Sequence, residues 1–115
     1  MVAETAAEAI SASPVTILNA FNEQAVDAVL GLEGVTDALA GKDLINLVTT
    51  PAGSAERMSG LVRDASARYL TGGIMTYPRS IGGRDALIVY SGDRAAFDDH
   101  AATLSTLAYG QFIGV

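Results

Sequence analysis

Two adjacent glycines, Gly82-Gly83, lie between two apolar segments and constrain the fold of this chain more than any other feature. A glycine pair in this position is typical of the two-residue turns of β-hairpins, whose central residues need positive φ angles. We therefore predict a hairpin over about residues 74–90. Pro78 cannot donate a backbone hydrogen bond, so the first strand is predicted to be an edge strand or an irregular arm.

Helical patterns account for most of the other segments. Apolar residues recur at helical spacing after a loop at residues 50–53, and they predict an amphipathic helix that ends before Gly72-Gly73. A short helical turn is predicted over residues 43–48, and a last helix after Asp93, which is a typical N-cap residue. The stripe of the amphipathic helix consists of Met58, Leu61, Val62, Ala65 and Tyr69.

The segment from residue 15 to residue 21 permits two interpretations. It can belong to a helix that continues to Leu32, or it can form a strand followed by a helix capped at Asn22. We prefer the helix. The predicted fold class is therefore α+β, a mostly helical small domain with one β-hairpin packed between helices. Residues 13–115 form this single domain, and residues 1–12 form an N-terminal helical arm or tail.

Composition excludes several classes of site and partner. The chain has no cysteine and one histidine, which excludes disulfide frameworks and most zinc or haem sites. Its net charge of −6 argues against direct binding of nucleic acid. No segment has the roughly 20 consecutive apolar residues that span a bilayer, so we expect no membrane partner. A secretory signal begins with basic residues followed by an apolar segment, whereas this chain has Glu4 and Glu8 in that region. This difference indicates synthesis inside the cell.

The titratable residues form one dense cluster near the last predicted helix, namely Asp93, Asp98, Asp99 and His100. These residue types can coordinate a cation or act as a general base, but no second histidine follows at helical spacing. Capping and the helix dipole explain acidic residues in a first turn more simply. The sequence contains neither a Gly-x-Ser-x-Gly nor a Gly-x-Gly-x-x-Gly motif. We therefore expect no catalytic residue, no metal and no cofactor.

The charges are distributed unevenly along the chain. The first fifty residues carry seven acidic side chains and one lysine, whereas residues 51–115 carry six arginines and six acidic side chains. Head-to-tail packing of identical subunits would bring the two halves together and close into a ring. We therefore predict a homo-oligomeric interface that uses the arginines and an apolar tail, namely Arg57, Arg63, Arg68, Arg79, Arg84, Phe112, Ile113 and Val115.

Residues 43–70 resemble a known family. The segment Asp43-Leu-Ile-Asn-Leu-Val-Thr-Thr-Pro-Ala-Gly is followed by a helical pattern that ends in Arg63-Asp-Ala-Ser-Ala-Arg-Tyr-Leu70. This combination resembles the head–tail adaptor (connector) proteins of tailed bacteriophages, which are small alanine-rich chains. The resemblance implies a virion neck subunit without enzymatic activity, made in the host cytoplasm and assembled into a ring between portal and tail proteins.

The absent catalytic motifs, the uneven charge and this resemblance together favour a structural assembly protein that is not an enzyme. The main alternative is a small ligand-binding or sensory α+β module of the PAS or roadblock type, which would have a five-stranded sheet with an apolar pocket. Two further alternatives are an enzyme that uses His100 and Asp99, and an acidic mimic of nucleic acid. Outside a virion, the expected location is the cytoplasm.

Overall fold

The computed structural model describes residues 2–75 and 78–114, and its centre is a five-stranded sheet. The strands β1 to β5 are Val15–Leu18, Asp43–Asn46, Arg68–Ile74, Leu87–Gly92 and Tyr109–Phe112, and they lie side by side in chain order. Strands β1, β2 and β3 are parallel, β4 is antiparallel to β3, and β5 is parallel to β4. The sheet is therefore mostly parallel, and the prediction of a mostly helical domain with one hairpin is wrong.

Helices pack on both faces of this sheet. The α-helices α1 to α5 are Ala6–Ser11, Glu23–Leu30, Val35–Leu39, Ala52–Asp64 and Arg94–Leu104. Helices α1 to α4 cover what we call the first face, where Val26, Leu39 and Met58 are buried. Helix α5 covers the second face, where Leu104 is buried against Tyr90. No helix in the described part of the chain has the length and apolar character needed to cross a membrane.

The segment that permitted two interpretations is strand β1, followed by helix α2. The Asn22 side chain caps α2, because its Oδ1 accepts a hydrogen bond from the Ala25 amide at 3.0 Å. Strand β1 pairs with β2, with Val15 opposite Asp43. The preferred helix is thus wrong, since β-branched residues dominate the start of this segment and the paired backbone of β2 stabilises an extended chain.

The amphipathic helix is confirmed as α4, but it is shorter than predicted. It ends at Asp64, and Ser66 adopts a left-handed backbone conformation with a φ angle of 64°. The chain from Arg68 onward is strand β3, so Tyr69 packs on the first face from a strand rather than from a helix. Asp93 caps α5 as predicted, since its side chain accepts a hydrogen bond from the Ala96 amide.

The predicted hairpin is replaced by a longer antiparallel pair. Leu70 lies opposite Gly92 and Ile74 opposite Ile88, so the first strand begins well before residue 74. The connection is also longer than a two-residue turn, because residues 78–80 form a 3-10 helix and the glycine pair lies in the turns that follow. Proline supports this helical turn, since its fixed φ angle suits a helix start.

Gly72 lies inside β3, and its replacement by alanine is expected to lower the free energy of unfolding by about 2 kcal/mol. An added Cβ would lie 2.8 Å from the buried Leu47 side chain and 2.9 Å from the Tyr90 ring. Urea unfolding followed by circular dichroism measures the change. Gly53→Ala is the control, because nothing lies within 4 Å of the added Cβ there. Equal unfolding midpoints for the two variants would contradict the prediction.

Candidate functional site

The three parallel strands β1, β2 and β3 end at the same edge of the sheet, which we call the carboxyl-end edge. The chain leaves this edge through residues 19–22 after β1, residues 47–51 after β2, and Met75 after β3. Ligands of open parallel sheets bind in the crevice outside the carboxyl ends of the strands. The carboxyl-end edge is therefore the candidate functional site.

A buried asparagine holds the loop after β2 in place. Asn46 is fully buried, its Oδ1 accepts a hydrogen bond from the Val48 amide at 2.9 Å, and its Nδ2 donates one to the Tyr69 hydroxyl at 3.0 Å. Burial raises the pKa of the Tyr69 phenol, so this group stays neutral. The Leu47 amide also donates to the Leu18 carbonyl at 2.9 Å. These bonds fix the direction in which residues 47–51 leave the sheet.

Helix α4 begins at the end of this loop with its first amides uncapped by a side chain. Pro51 stands at the N-cap and offers no side-chain acceptor. An added Cβ at Gly53 would meet nothing within 4 Å, so the first turn is open on that side. Free amides and the positive end of the helix dipole favour an anionic group at such a position.

Two apolar side chains are exposed at the same edge. Phe21, after β1, is 86% exposed, and Met75, after β3, is 65% exposed. These two side chains add apolar surface beside the polar loops of this edge. The carboxyl-end edge thus combines apolar side chains, threonine hydroxyls at residues 49 and 50, and a helix N-terminus.

A second cluster of polar residues lies at the opposite edge of the sheet. The buried Asp43 carboxylate accepts two hydrogen bonds from Arg68 at 2.7 Å and contacts Nε2 of His100 at 2.6 Å. Arg68 also donates to Asp99 at 2.8 Å. The Arg68 guanidinium, and then His100, hold the pKa of Asp43 below its usual value. These groups pair with one another and line a cleft of about 480 Å³. Because Asp43 belongs to β2, Arg68 to β3, and Asp99 and His100 to α5, their bonds hold α5 to both strands.

The structure disperses most of the residues predicted to form an interface. Arg57 makes a bidentate ion pair with Asp27 at 2.9 Å, and Arg63 donates to Ser59. Arg68 belongs to the Asp43 cluster. Arg79 lies on the 3-10 helix at residues 78–80, and Arg84 is exposed in the turns after it.

The predicted apolar tail is divided in the same way. Phe112 stacks against Phe97 at a centroid distance of 5.4 Å and lies under Arg94, whereas Ile113 is 66% exposed. Val115 lies outside the described residues. The interface of identical subunits stays a prediction.

Of the acidic residues near the last helix, Asp98 pairs with Arg94 at 3.1 Å, while Asp99 and His100 join the Asp43 cluster. Sequence reasoning missed Asn46 as a residue that shapes the site. Its signal was a polar side chain within the apolar run of residues 44–48, because such a side chain needs buried hydrogen-bond partners.

No model of a known protein family matches this sequence. An NADPH-dependent reductive aminase of Aspergillus oryzae is 30% identical over 113 residues, which are 97% of this chain and 38% of that enzyme. The imine reductase of Streptomyces aurantiacus is 34% identical, with a TM-score of 0.90 over 97% of this chain and 39% of its own. This chain is similar to imine reductases and reductive aminases.

A third relative is a reductive aminase of Aspergillus terreus in complex with NADPH4, cyclohexanone and allyl amine. It is 34% identical, with a TM-score of 0.87 over 96% of this chain and 38% of its own. The chain therefore spans about two fifths of the length of these relatives. Its sheet matches a Rossmann-like sheet of these oxidoreductases.

These comparisons correct the predicted identity. The relatives are named as oxidoreductases, so the phage head–tail adaptor, the virion location and the description as a non-enzymatic structural protein are wrong. The alternative of a PAS or roadblock module is not supported either. The resemblance over residues 43–70 rests on leucine, alanine and tyrosine residues that belong to a β2-α4-β3 unit in this chain.

Proposed function

We propose that this chain forms part of an NADPH-dependent oxidoreductase of the imine reductase or reductive aminase type. The observation that carries the proposal is similarity over nearly the whole chain, at 34% identity and a TM-score of 0.90 to an imine reductase. The 30% identity to an NADPH-dependent reductive aminase supports the same cofactor and the same class of reaction.

The reaction class follows from the names of the relatives. When bound, NADPH supplies a hydride to the carbon of a C=N bond, and the nitrogen takes up a proton to give an amine. The role of the protein is to bind and orient the reacting groups and to exclude water from them. The residues of this chain at the carboxyl-end edge are suited to the first of these tasks.

The residues present fit one wall of a dinucleotide site. The open N-terminus of α4 and the hydroxyls of Thr49 and Thr50 would hold a phosphate or ribose group, and Phe21 and Met75 would contact apolar parts of cofactor or substrate. The glycine-rich turn that binds the pyrophosphate of dinucleotides has no counterpart in this sequence. The rest of the site therefore comes from a part of the enzyme that this chain does not span.

A chimeric enzyme tests the proposal. In the Aspergillus terreus reductive aminase, the matched segment is replaced by the corresponding segment of this chain. We expect the folded chimera to consume NADPH with cyclohexanone and allyl amine, since the loops at the carboxyl-end edge supply the same wall. The unaltered host enzyme is the control, and circular dichroism establishes folding.

A second measurement uses the isolated chain. NADPH is expected to shift the amide NMR signals of residues 47–50 and 52–54 and to leave those around Asp43 unchanged, because Asp43 lies at the opposite edge of the sheet. A folded chimera that consumes no NADPH, or NADPH shifts confined to the Asp43 cluster, would contradict the proposed function.

A further inference from the structure

Strand β2 stops pairing with β3 before β3 itself ends. The last pair of the parallel ladder places Asn46 opposite Thr71, whereas β3 continues against β4 as far as Ile74. The final residues of β3 therefore extend past the end of β2. Residue 46 is thus the point at which the loop after β2 separates from β3 at the carboxyl-end edge.

The Asn46 side chain ends this ladder. Successive backbone amides of a strand point to alternate sides, and the Leu47 amide donates to the Leu18 carbonyl in β1 at 2.9 Å. If the strand continued, the next amide, that of Val48, would therefore face β3. It donates instead to Oδ1 of Asn46 at 2.9 Å. An asparagine that accepts a hydrogen bond from the amide two residues later forms an Asx turn, which competes with strand pairing.

Two other elements hold the Asn46 side chain in this orientation. Its Nδ2 donates to the Tyr69 hydroxyl of β3 at 3.0 Å and lies 3.9 Å from the Met58 sulfur of α4. Asn46 and all three of its partners are buried. A buried amide cannot exchange its partners for water, so rotation of this side chain would leave polar groups unpaired. Strand β3 and helix α4 therefore hold the Val48 amide in place through Asn46.

We propose that Asn46 is a positioning residue for NADPH, because it holds the loop after β2 in the conformation that contacts the cofactor. This inference rests on the proposed function, in which Thr49 and Thr50 would hold a phosphate or ribose group. A loop that already has its bound conformation loses less conformational entropy when the ligand arrives. Asn46 therefore acts on the affinity for NADPH through Val48 and does not contact the cofactor itself.

Two matched substitutions separate positioning from stability. Asn46→Leu keeps the branched outline of the side chain but removes the acceptor of the Val48 amide and the donor to Tyr69. Tyr69→Phe breaks the same buried bond to Asn46 and leaves the bond to Val48 intact. Each variant leaves a buried polar group without this partner, so both are expected to lower the thermal midpoint. The Val48 amide loses its acceptor in Asn46→Leu alone.

In the chimera with the Aspergillus terreus enzyme, the two variants are expected to differ in the KM for NADPH. Asn46→Leu should raise this KM about tenfold and keep kcat within about twofold, because the cofactor is held less tightly before and during the reaction. Tyr69→Phe should change neither quantity by more than about twofold. Asn46→Ser is the conservative variant. Its hydroxyl can accept the same amide, so it should return the KM to within about threefold of the unaltered chimera.

Hydrogen exchange in the isolated chain gives a readout that needs no NADPH. The exchange rate of the Val48 amide is compared with that of Leu47, whose amide bonds to β1. Asn46→Leu should accelerate Val48 about tenfold relative to Leu47, whereas Tyr69→Phe should leave the ratio unchanged, because a general loss of stability accelerates both amides alike. If the leucine variant does not fold, Asn46→Ala, which also lacks the acceptor, replaces it in both experiments.

The outcomes separate this inference from the proposed function. An active chimera in which Asn46→Leu and Tyr69→Phe raise the KM for NADPH equally would overturn the positioning role while the proposed function stands. Equal relative exchange of Val48 in the two variants would overturn it as well. A folded chimera that consumes no NADPH, with Val48 exchange accelerated by Asn46→Leu alone, would support the hold of Asn46 on the loop and contradict the proposed function.

Discussion

Replacement of Gly92 by alanine is expected to lower the free energy of unfolding by about 3 kcal/mol. Gly92 ends β4 with a φ angle of 124°, which side-chain-bearing residues rarely adopt. An added Cβ would lie 2.5 Å from the Tyr69 carbonyl oxygen. That oxygen also accepts a hydrogen bond from the Asp93 amide at 3.0 Å, so the backbone cannot move away without losing the bond. Urea unfolding measures the change.

Gly114→Ala is the matched control for this substitution. Gly114 has a similar φ angle of 115°, but nothing lies within 4 Å of an added Cβ. The Gly114→Ala variant should therefore lose only the stability that backbone strain costs, which lowers the free energy of unfolding by about 1 kcal/mol. A Gly92 variant no less stable than the Gly114 variant would show that the close approach to Tyr69 has no energetic consequence.

Asp43→Asn is expected to lower the free energy of unfolding by about 2 kcal/mol at neutral pH. The Asp43 side chain is 10% exposed, and its charge balances Arg68 and contacts His100. Removal of a buried partner leaves the other charge uncompensated, although the partial exposure of Arg68 moderates the loss. Asp99→Asn is the control, because Asp99 binds the same Arg68 but its side chain is 60% exposed.

The same carboxylate predicts how stability depends on pH. The pKa of Asp43 is lower in the folded chain than in the unfolded chain, so its contribution is present above the unfolded-state pKa. The contribution is lost as the pH falls from about 5 through the folded-state pKa. Urea unfolding across this window should show a steeper decline for the native sequence than for Asp43→Asn. Parallel declines would contradict this assignment.

Sequence reasoning located α4 and α5, because their signals are local. Asp93 is an N-cap residue, and the apolar stripe of α4 repeats at helical spacing. The helical turn predicted over residues 43–48 is wrong, because residues 43–46 form strand β2. All four residues of β2 are buried, so no alternation of apolar and polar positions marks them as a strand. Strand β1 was missed for a related reason, because the backbone of β2, far along the chain, decides its conformation.

The candidate site was harder to predict than the helices. Asp43 and His100 are 57 positions apart and meet after β2, β3 and α5 have assembled. The carboxyl-end edge likewise exists because three separate strands end together. A glycine-rich motif would have indicated a dinucleotide enzyme, but this sequence has none. The proposed function therefore rests on similarity over nearly the whole chain.

The two rims of the sheet, one at each end of its strands, differ in how freely their residues can be substituted. Because the chain reverses direction between β3 and β4, the connection between these strands lies at the same rim as the loops after β1 and β2. The loops after β1 and β2 and the start of the β3–β4 connection gather at one rim, whereas the Asp43 cluster secures the other. The exposed side chains at the first rim can be substituted without disturbing the core, whereas Leu47, Val48 and the helix cap Asn22 at the same rim cannot. Under the proposed function, we expect variants selected for new substrates to accumulate changes at the exposed residues Asn19, Phe21 and Thr49, and to retain the Asp43 cluster.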